Sequence, residues 1–226
     1  MSTKILLQSL ATLVVGSAIL WLLLFLVAGT TDYWQAWVLV PVFMISTTLY
    51  GLYFTVKDPS VIERRTQAGP GAEQSTLQKV IATIAFASSM SIFVWAALDR
   101  RFGWSDMAPV VVLCGDALII VAYAVYFWVS SENPYAGASI RVEPDQVVIS
   151  TGPYAIVRHP KYVGDLFLVA GTAIGLGSWW ALLVILVTIP VLGVRIWDEE
   201  RTLARDLPGY SDYQKRVRHR LAPRVW

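Results

Sequence analysis

Four long apolar windows run through the chain, at residues 5–28, 33–56, 77–98 and 108–129, with charged residues held to the gaps between them. Each is long enough for an α-helix to cross a bilayer core about 30 Å thick, which takes roughly 20 apolar residues. A fifth apolar stretch, 162–197, is too long for one crossing. The run Gly175-Leu176-Gly177-Ser178-Trp179 divides it with a turn signal. The pattern predicts an all-α, polytopic membrane helix bundle of six transmembrane helices, the last two forming a hairpin. The polar mass falls into 57–78, 130–161 and 198–226. Within these, 146–150 suits an extended segment leading to a turn at Gly152-Pro153. After Pro208-Gly209 a short amphipathic helix restarts, with Tyr210, Tyr213, Val217 and Leu221 on one face. Residues 1–226 make one membrane-embedded domain, in which 1–129 supply four spans and 130–226 carry the candidate chemistry.

Composition agrees. The 226 residues are 56% hydrophobic and 15% charged, against about a quarter charged in soluble domains. The net charge of +2 hides a strong segregation. With both termini cytoplasmic, 16 Lys and Arg fall inside and only Arg100 and Arg101 outside, as the positive-inside rule requires. A five-span arrangement would spoil this. Tyr33, Trp34, Trp37, Phe102, Trp104, Trp179 and Trp180 form an outer aromatic belt. The first apolar run, 24 residues long, exceeds the roughly 7–15 of a signal-peptide core, so it is a retained span.

Chemistry-bearing residues gather at the inner edge. One cluster is Ser131-Glu132-Asn133-Pro134-Tyr135. A second runs from Thr151 to Asp165 and contains Arg158-His159-Pro160-Lys161-Tyr162. A third is Arg195 with Asp198-Glu199-Glu200. A hairpin of the last two spans brings the second and third together. Each residue also fits a structural role. Arg158, Lys161 and Arg195 suit snorkelling anchors. Glu199 and Glu200 suit a solvated face or partners for Arg195 one turn away. His159 suits the start of a helix with Pro160 in its first position. Gly171 and Gly175 have the spacing that lets membrane helices pack closely. Asp116 sits near membrane depth without an evident partner.

Other chemistries are missing. One cysteine and two histidines leave no zinc set or disulfide framework. No dinucleotide fingerprint, Walker A sequence or nucleophile elbow occurs. The basic tail suits anionic lipid, not nucleic acid.

The segment Glu132-Asn133-Pro134-Tyr135, then Gln146 through Gly152-Pro153-Tyr154 to Arg158-His159-Pro160-Lys161-Tyr162-Val163-Gly164, resembles the isoprenylcysteine carboxyl methyltransferase family and its bacterial relatives. So does Asp198-Glu199-Glu200 with the ending to Trp226. The resemblance covers about 130–226. It implies an integral-membrane methyltransferase of the bacterial inner membrane that uses S-adenosylmethionine in a cytoplasmic pocket. The acceptor would be a small lipophilic or lipidated molecule, such as an isoprenylcysteine-like carboxylate, arriving from the bilayer. Carried over residue by residue, His159, Tyr162 and Gly164 match the cofactor motif, Glu199 and Glu200 its acidic pair, and Gly152, Pro153 and Tyr154 the preceding turn. Glu199 or Glu200 suits the cofactor's ammonium and Arg158 or His159 its carboxylate, with Arg158 and Arg195 as the candidate catalytic residues. Arg195 and Asn133 are the candidates for orienting the acceptor. Asp165 after Gly164 is similar to the motif of NADPH-dependent sterol reductases, which gives a second reading. A third, a transport protein using Asp116, lacks the repeat symmetry of transporters.

Overall fold

The apolar windows become helices because a chain in lipid must satisfy its backbone polar groups internally. The computed structural model describes residues 3–66, 69–73, 75–137, 139–140, 142–143 and 145–226. Its helices are α1 (Thr3–Ala28), α2 (Trp34–Lys57), α3 (Pro59–Thr66), α4 (Thr76–Phe102) and α5 (Pro109–Glu132), followed by α6 (Pro160–Gly175), α7 (Trp179–Leu182), α8 (Ile185–Asp206) and α9 (Tyr210–Arg216). There is no strand among the described residues, so 146–150 is irregular chain. Local chemistry sets the boundaries. Ser75 Oγ accepts from the Gln78 amide at the start of α4, and Gly103, at φ 65°, ends it. Pro109 and Pro160 open α5 and α6.

Six helices, α1, α2, α4, α5, α6 and α8, alternate in direction along the predicted windows. Four stretches are long and apolar enough to cross a membrane: α2, α4, α5 and the α7–α8 run from Trp179 to Asp206. The apolar helix Leu13–Ala28 belongs to α1. α6 has 16 residues, about 24 Å at 1.5 Å each, and falls short of a full hydrocarbon core.

The predicted hairpin exists but is not the tightest pairing. α6 meets α8 through Tyr162, Leu192 and Ile196. It lies far closer to α5, because glycines replace side chains along the seam. A Cβ on Gly171 would stand 2.8 Å from the Gly115 carbonyl, and one on Gly115 would collide with the Gly175 backbone. Gly164 belongs to the same seam, where a Cβ would sit 2.7 Å from Tyr126. Backbones this close maximise dispersion contact where lipid offers no hydrophobic drive. Asp116 is buried beside Gly175, and neither of its carboxyl oxygens has a hydrogen-bond partner.

At one end of the bundle lie the α1–α2, α4–α5 and α6–α7 turns, here called the far end. Asp99 is buried there and accepts from the Ser105 amide (2.7 Å), the Ser105 hydroxyl (2.6 Å) and the Ser178 hydroxyl. Tyr33 departs from the expected aromatic belt. It is 1% exposed, and its hydroxyl donates to the Leu176 carbonyl at 2.8 Å. Trp34, Trp37, Phe102, Trp104, Trp179 and Trp180 are exposed as expected. The opposite, basic end carries α3, α9, the loops after α3 and α5, and the chain's last residues. Arg141, counted among the inner basic residues, lies outside the described ones.

α9 stops at Arg216, earlier than the amphipathic pattern predicts. Tyr210 and Tyr213 are buried as expected. Beyond Val217 the backbone leaves the helix, because the Arg158 and His159 amides donate to the His219 and Arg220 carbonyls, both at 2.9 Å.

Candidate active site at the basic end

Four elements converge on a cleft at the basic end: the last turns of α8, the start of α6, α9, and the loop 133–149 after α5. Its cavity volume is about 100 Å³. Of the residues singled out from the sequence, Asn133, Tyr154, Arg158, His159, Tyr162, Arg195 and Glu199 line it. Gly152, Pro153, Gly164 and Glu200 stand behind its walls. Gly152 sits at φ 55°, with Glu132 so near that a Cβ would stand 2.5 Å from its Cγ. Thr151 donates to the same carboxylate at 2.8 Å. That turn ties the loop to the end of α5, and glycine alone fits it cheaply.

The two adjacent glutamates face different surroundings. Glu200 is 5% exposed. Its Oε1 accepts from Arg158 Nε (2.6 Å) and His159 Nε2 (3.2 Å), and its Oε2 from Arg220 Nε (2.9 Å). Arg158 also donates to the Val217 and Arg218 carbonyls. The network fastens the end of the chain across the start of α6. A carboxylate so engaged has little left for a ligand. Glu199 lines the cleft, with its side chain 24% exposed. Its Oε2 accepts from the Tyr162 hydroxyl at 2.7 Å and lies 3.7 Å from His159 Nδ1.

Arg195 completes a relay behind Glu199. It donates through Nε to the Tyr162 hydroxyl (3.0 Å), through Nη1 to Gln78 Oε1 (3.0 Å) and through Nη2 to Glu73 Oε1 (2.8 Å). The guanidinium is thus committed to holding Tyr162 and to joining α8 to α4 and the loop before it. The expected pairing with a glutamate one turn away gives way to Glu73, 122 residues earlier, because Glu73 is itself buried and needs a cation.

The opposite wall is apolar, with Val147, Val148, Ile149, Leu203 and Leu207. Tyr210 lies against it, and its buried hydroxyl has no hydrogen-bond partner. Tyr213 donates to the Tyr154 carbonyl at 2.8 Å. Burial pushes the phenols of Tyr154, Tyr210 and Tyr213 well up, so all three stay neutral across the physiological range. The cleft therefore presents one accessible carboxylate, one unused hydroxyl and an apolar face.

Glu73, Gln78, Arg220 and Tyr210 belong to this end of the molecule and were not singled out as site residues. Glu73 and Arg220 carry no local signal: one is a lone acid in a Gly-Pro-Gly loop, the other one of several basic residues near the chain's end. Tyr210 belongs to the amphipathic face that the sequence pattern predicts, and it is buried. Asp165, the residue behind the reductase reading, does not line the cleft. It accepts from Tyr126 (2.6 Å) and Lys161 (3.1 Å) in a neighbouring cavity.

Residues 110–207, from the start of α5 to the end of α8, match the model of the phospholipid methyltransferase family. This segment, less than half of the chain, is similar to that family of integral-membrane enzymes, which includes isoprenylcysteine carboxyl methyltransferase-like members. The match agrees with the resemblance seen in the motifs around Arg158 and Glu199. It supports a membrane methyltransferase in general and leaves the acceptor open. No curated protein matches the chain.

Proposed function

We propose that this protein is an integral-membrane methyltransferase that uses S-adenosylmethionine and acts on a small lipophilic acceptor drawn from the bilayer. The observation that carries the reading is the pairing of an accessible carboxylate, Glu199, with an unused buried hydroxyl, Tyr210, in a half-apolar cleft built largely by the family-matched segment. These groups suit a ligand that is part cation and part planar apolar ring. S-adenosylmethionine supplies, when bound, an electrophilic methyl group on a sulfonium.

Glu199 takes the cofactor's ammonium by a charge-assisted hydrogen bond, its orientation fixed by Tyr162 and, through Tyr162, by Arg195. Val148, Leu203 and Leu207 give the adenine an apolar bed, and Tyr210 offers it a hydroxyl. His159 stacks beside Tyr162 at a ring separation of 5.7 Å and keeps that phenol in place. The chain's own work is positioning. It holds the acceptor in line and excludes water, and a nucleophile already ionised, such as a carboxylate, needs no strong base. The segregation of basic residues supports a cleft on the cytoplasmic side of a six-crossing topology.

The test is titration of purified protein in detergent with S-adenosylmethionine by calorimetry. Micromolar binding is expected, with no heat from NADPH; the reverse preference sinks the reading. Glu199→Gln removes the charge from the ammonium contact and is expected to weaken binding roughly tenfold without unfolding the protein.

A further inference from the structure

Near the cleft lie two more openings that the cofactor reading does not use. The first is an apolar groove of about 990 Å³ between α2 and α5, walled by Leu49, Leu52 and Val56 on one side and by Ile120, Ala124 and Phe127 on the other. Most of these side chains are exposed, on the faces of two helices that cross the membrane. The second is a polar cavity of about 340 Å³ among Thr47, Tyr50, Arg65, Tyr123, Tyr126, Lys161 and Asp165. Tyr50 and Tyr123 line both. Lys161 lines the polar cavity and the cofactor cleft. Tyr50 and Tyr123 thus form a wall common to groove and polar cavity, and Lys161 one common to the polar cavity and the cleft.

Arg65 is the unexplained group. Its guanidinium lies over the rings of Tyr50 (4.7 Å) and Tyr126 (5.1 Å) and donates one long hydrogen bond, 3.3 Å, to the Ser130 hydroxyl. Its buried Nε has no partner, and no ion pair to Arg65 occurs among the described residues. The nearby carboxylate, Asp165, is taken by Lys161 and Tyr126. A weakly hydrated cation held on aromatic faces, with donors to spare, is a ready partner for a carboxylate or phosphate. Groups this costly at a membrane edge mark a functional site.

We infer that the α2–α5 groove and Arg65 form the binding site for a lipid with one apolar chain and an anionic head, a carboxylate or a phosphate monoester. The chain lies between Leu49 and Ala124. The head is held by Arg65, one cavity away from the cleft. Arg65, not Arg195, is then the residue that selects the acceptor by charge. This assignment rests on the methyltransferase reading for its purpose, but not for its test.

The test uses purified protein in one detergent and two fluorescent probes, cis-parinaric acid and its methyl ester, at pH 8. The acid is expected to bind the wild type roughly tenfold more tightly than the ester, the worth of one charge-assisted contact. In Arg65→Gln that ratio falls close to one, whereas Arg65→Lys keeps most of it. Ala124→Trp, which fills the groove, weakens acid and ester alike. Oleate and lysophosphatidate compete separately to tell a carboxylate head from a phosphate, and displacement by neither overturns the site. So does equal binding of acid and ester by the wild type, or an unchanged ratio in Arg65→Gln. If Arg65→Gln does not fold, the wild-type ratio and Arg65→Lys decide. S-adenosylmethionine binding is measured on the same preparations. Its absence from a wild type that prefers the acid sinks the methyltransferase reading and leaves the lipid site standing.

Discussion

The two ends of the bundle solve the same problem in opposite ways. Both hold polar side chains at the edge of an apolar slab, where an unsatisfied group is costly. At the far end the accounts close. Asp99 receives two hydroxyls and an amide, Tyr33 donates to a carbonyl, and Ser178 caps α7 while holding Asp99. At the basic end they close for Glu200, Arg158 and Arg195 but stay open for Glu199, Tyr210 and Arg65. Charge alone does not distinguish lock from site. Asp99 and Glu200 are both buried ionisable groups, and both are fasteners. The open groups are the ones that face a cavity.

Glu200→Gln attacks the larger fastener and should have the largest effect. It leaves Arg158 buried without its anion, a change that costs about 3–5 kcal/mol. A lowered unfolding temperature and a loosened chain end, seen as early proteolysis after Val217, are the expected results. Thermal stability equal to that of Glu199→Gln would erase the distinction between the two glutamates.

Asp99→Asn tests the far end. One oxygen acceptor becomes a donor that faces Ser105 and Ser178, and about 1–3 kcal/mol of stability should go. Cofactor affinity should not change, since no far-end residue touches the cleft. A shift in that affinity by calorimetry would mean that the two ends are coupled through α4 and α8.

The smallest effect is expected from Tyr210→Phe. The lost hydroxyl has no partner in the protein, so stability should stay within about 1 kcal/mol of the wild type. S-adenosylmethionine should bind a few-fold more weakly. A fall in stability with unchanged binding would make that hydroxyl structural and remove one of the two groups that define the cleft.

Much of this was legible in the residues. The apolar windows, the Gly175–Trp179 break, Pro160 at the head of α6 and the spacing of Gly171 and Gly175 all reappear in the helices. These features are local, governed by hydrophobic length, backbone stereochemistry and short-range caps. The motif around Arg158-His159 and Glu199-Glu200 correctly pointed to one place in space. Its residues did not divide as their neighbours in sequence suggest. Glu199 and Glu200 differ by one position, which on a helix is a rotation of about 100°, and that turns one to the cleft and the other to Arg158 and Arg220. Gly164, in the middle of the motif, serves the α5–α6 seam.

The sequence by itself determined that this is a helical membrane protein, where most of its spans begin and end, and where its scarce charges gather. Only the tertiary structure decided which of those charges are spent. Arg195 is committed to Glu73 and Gln78 across more than a hundred residues, and Arg158 to Glu200 and the Val217 and Arg218 carbonyls, whereas Arg65 and Glu199 keep unused capacity. The physical reason is that a buried charge is defined by its partners, and partners drawn from distant helices leave no periodicity or spacing in the chain to announce them.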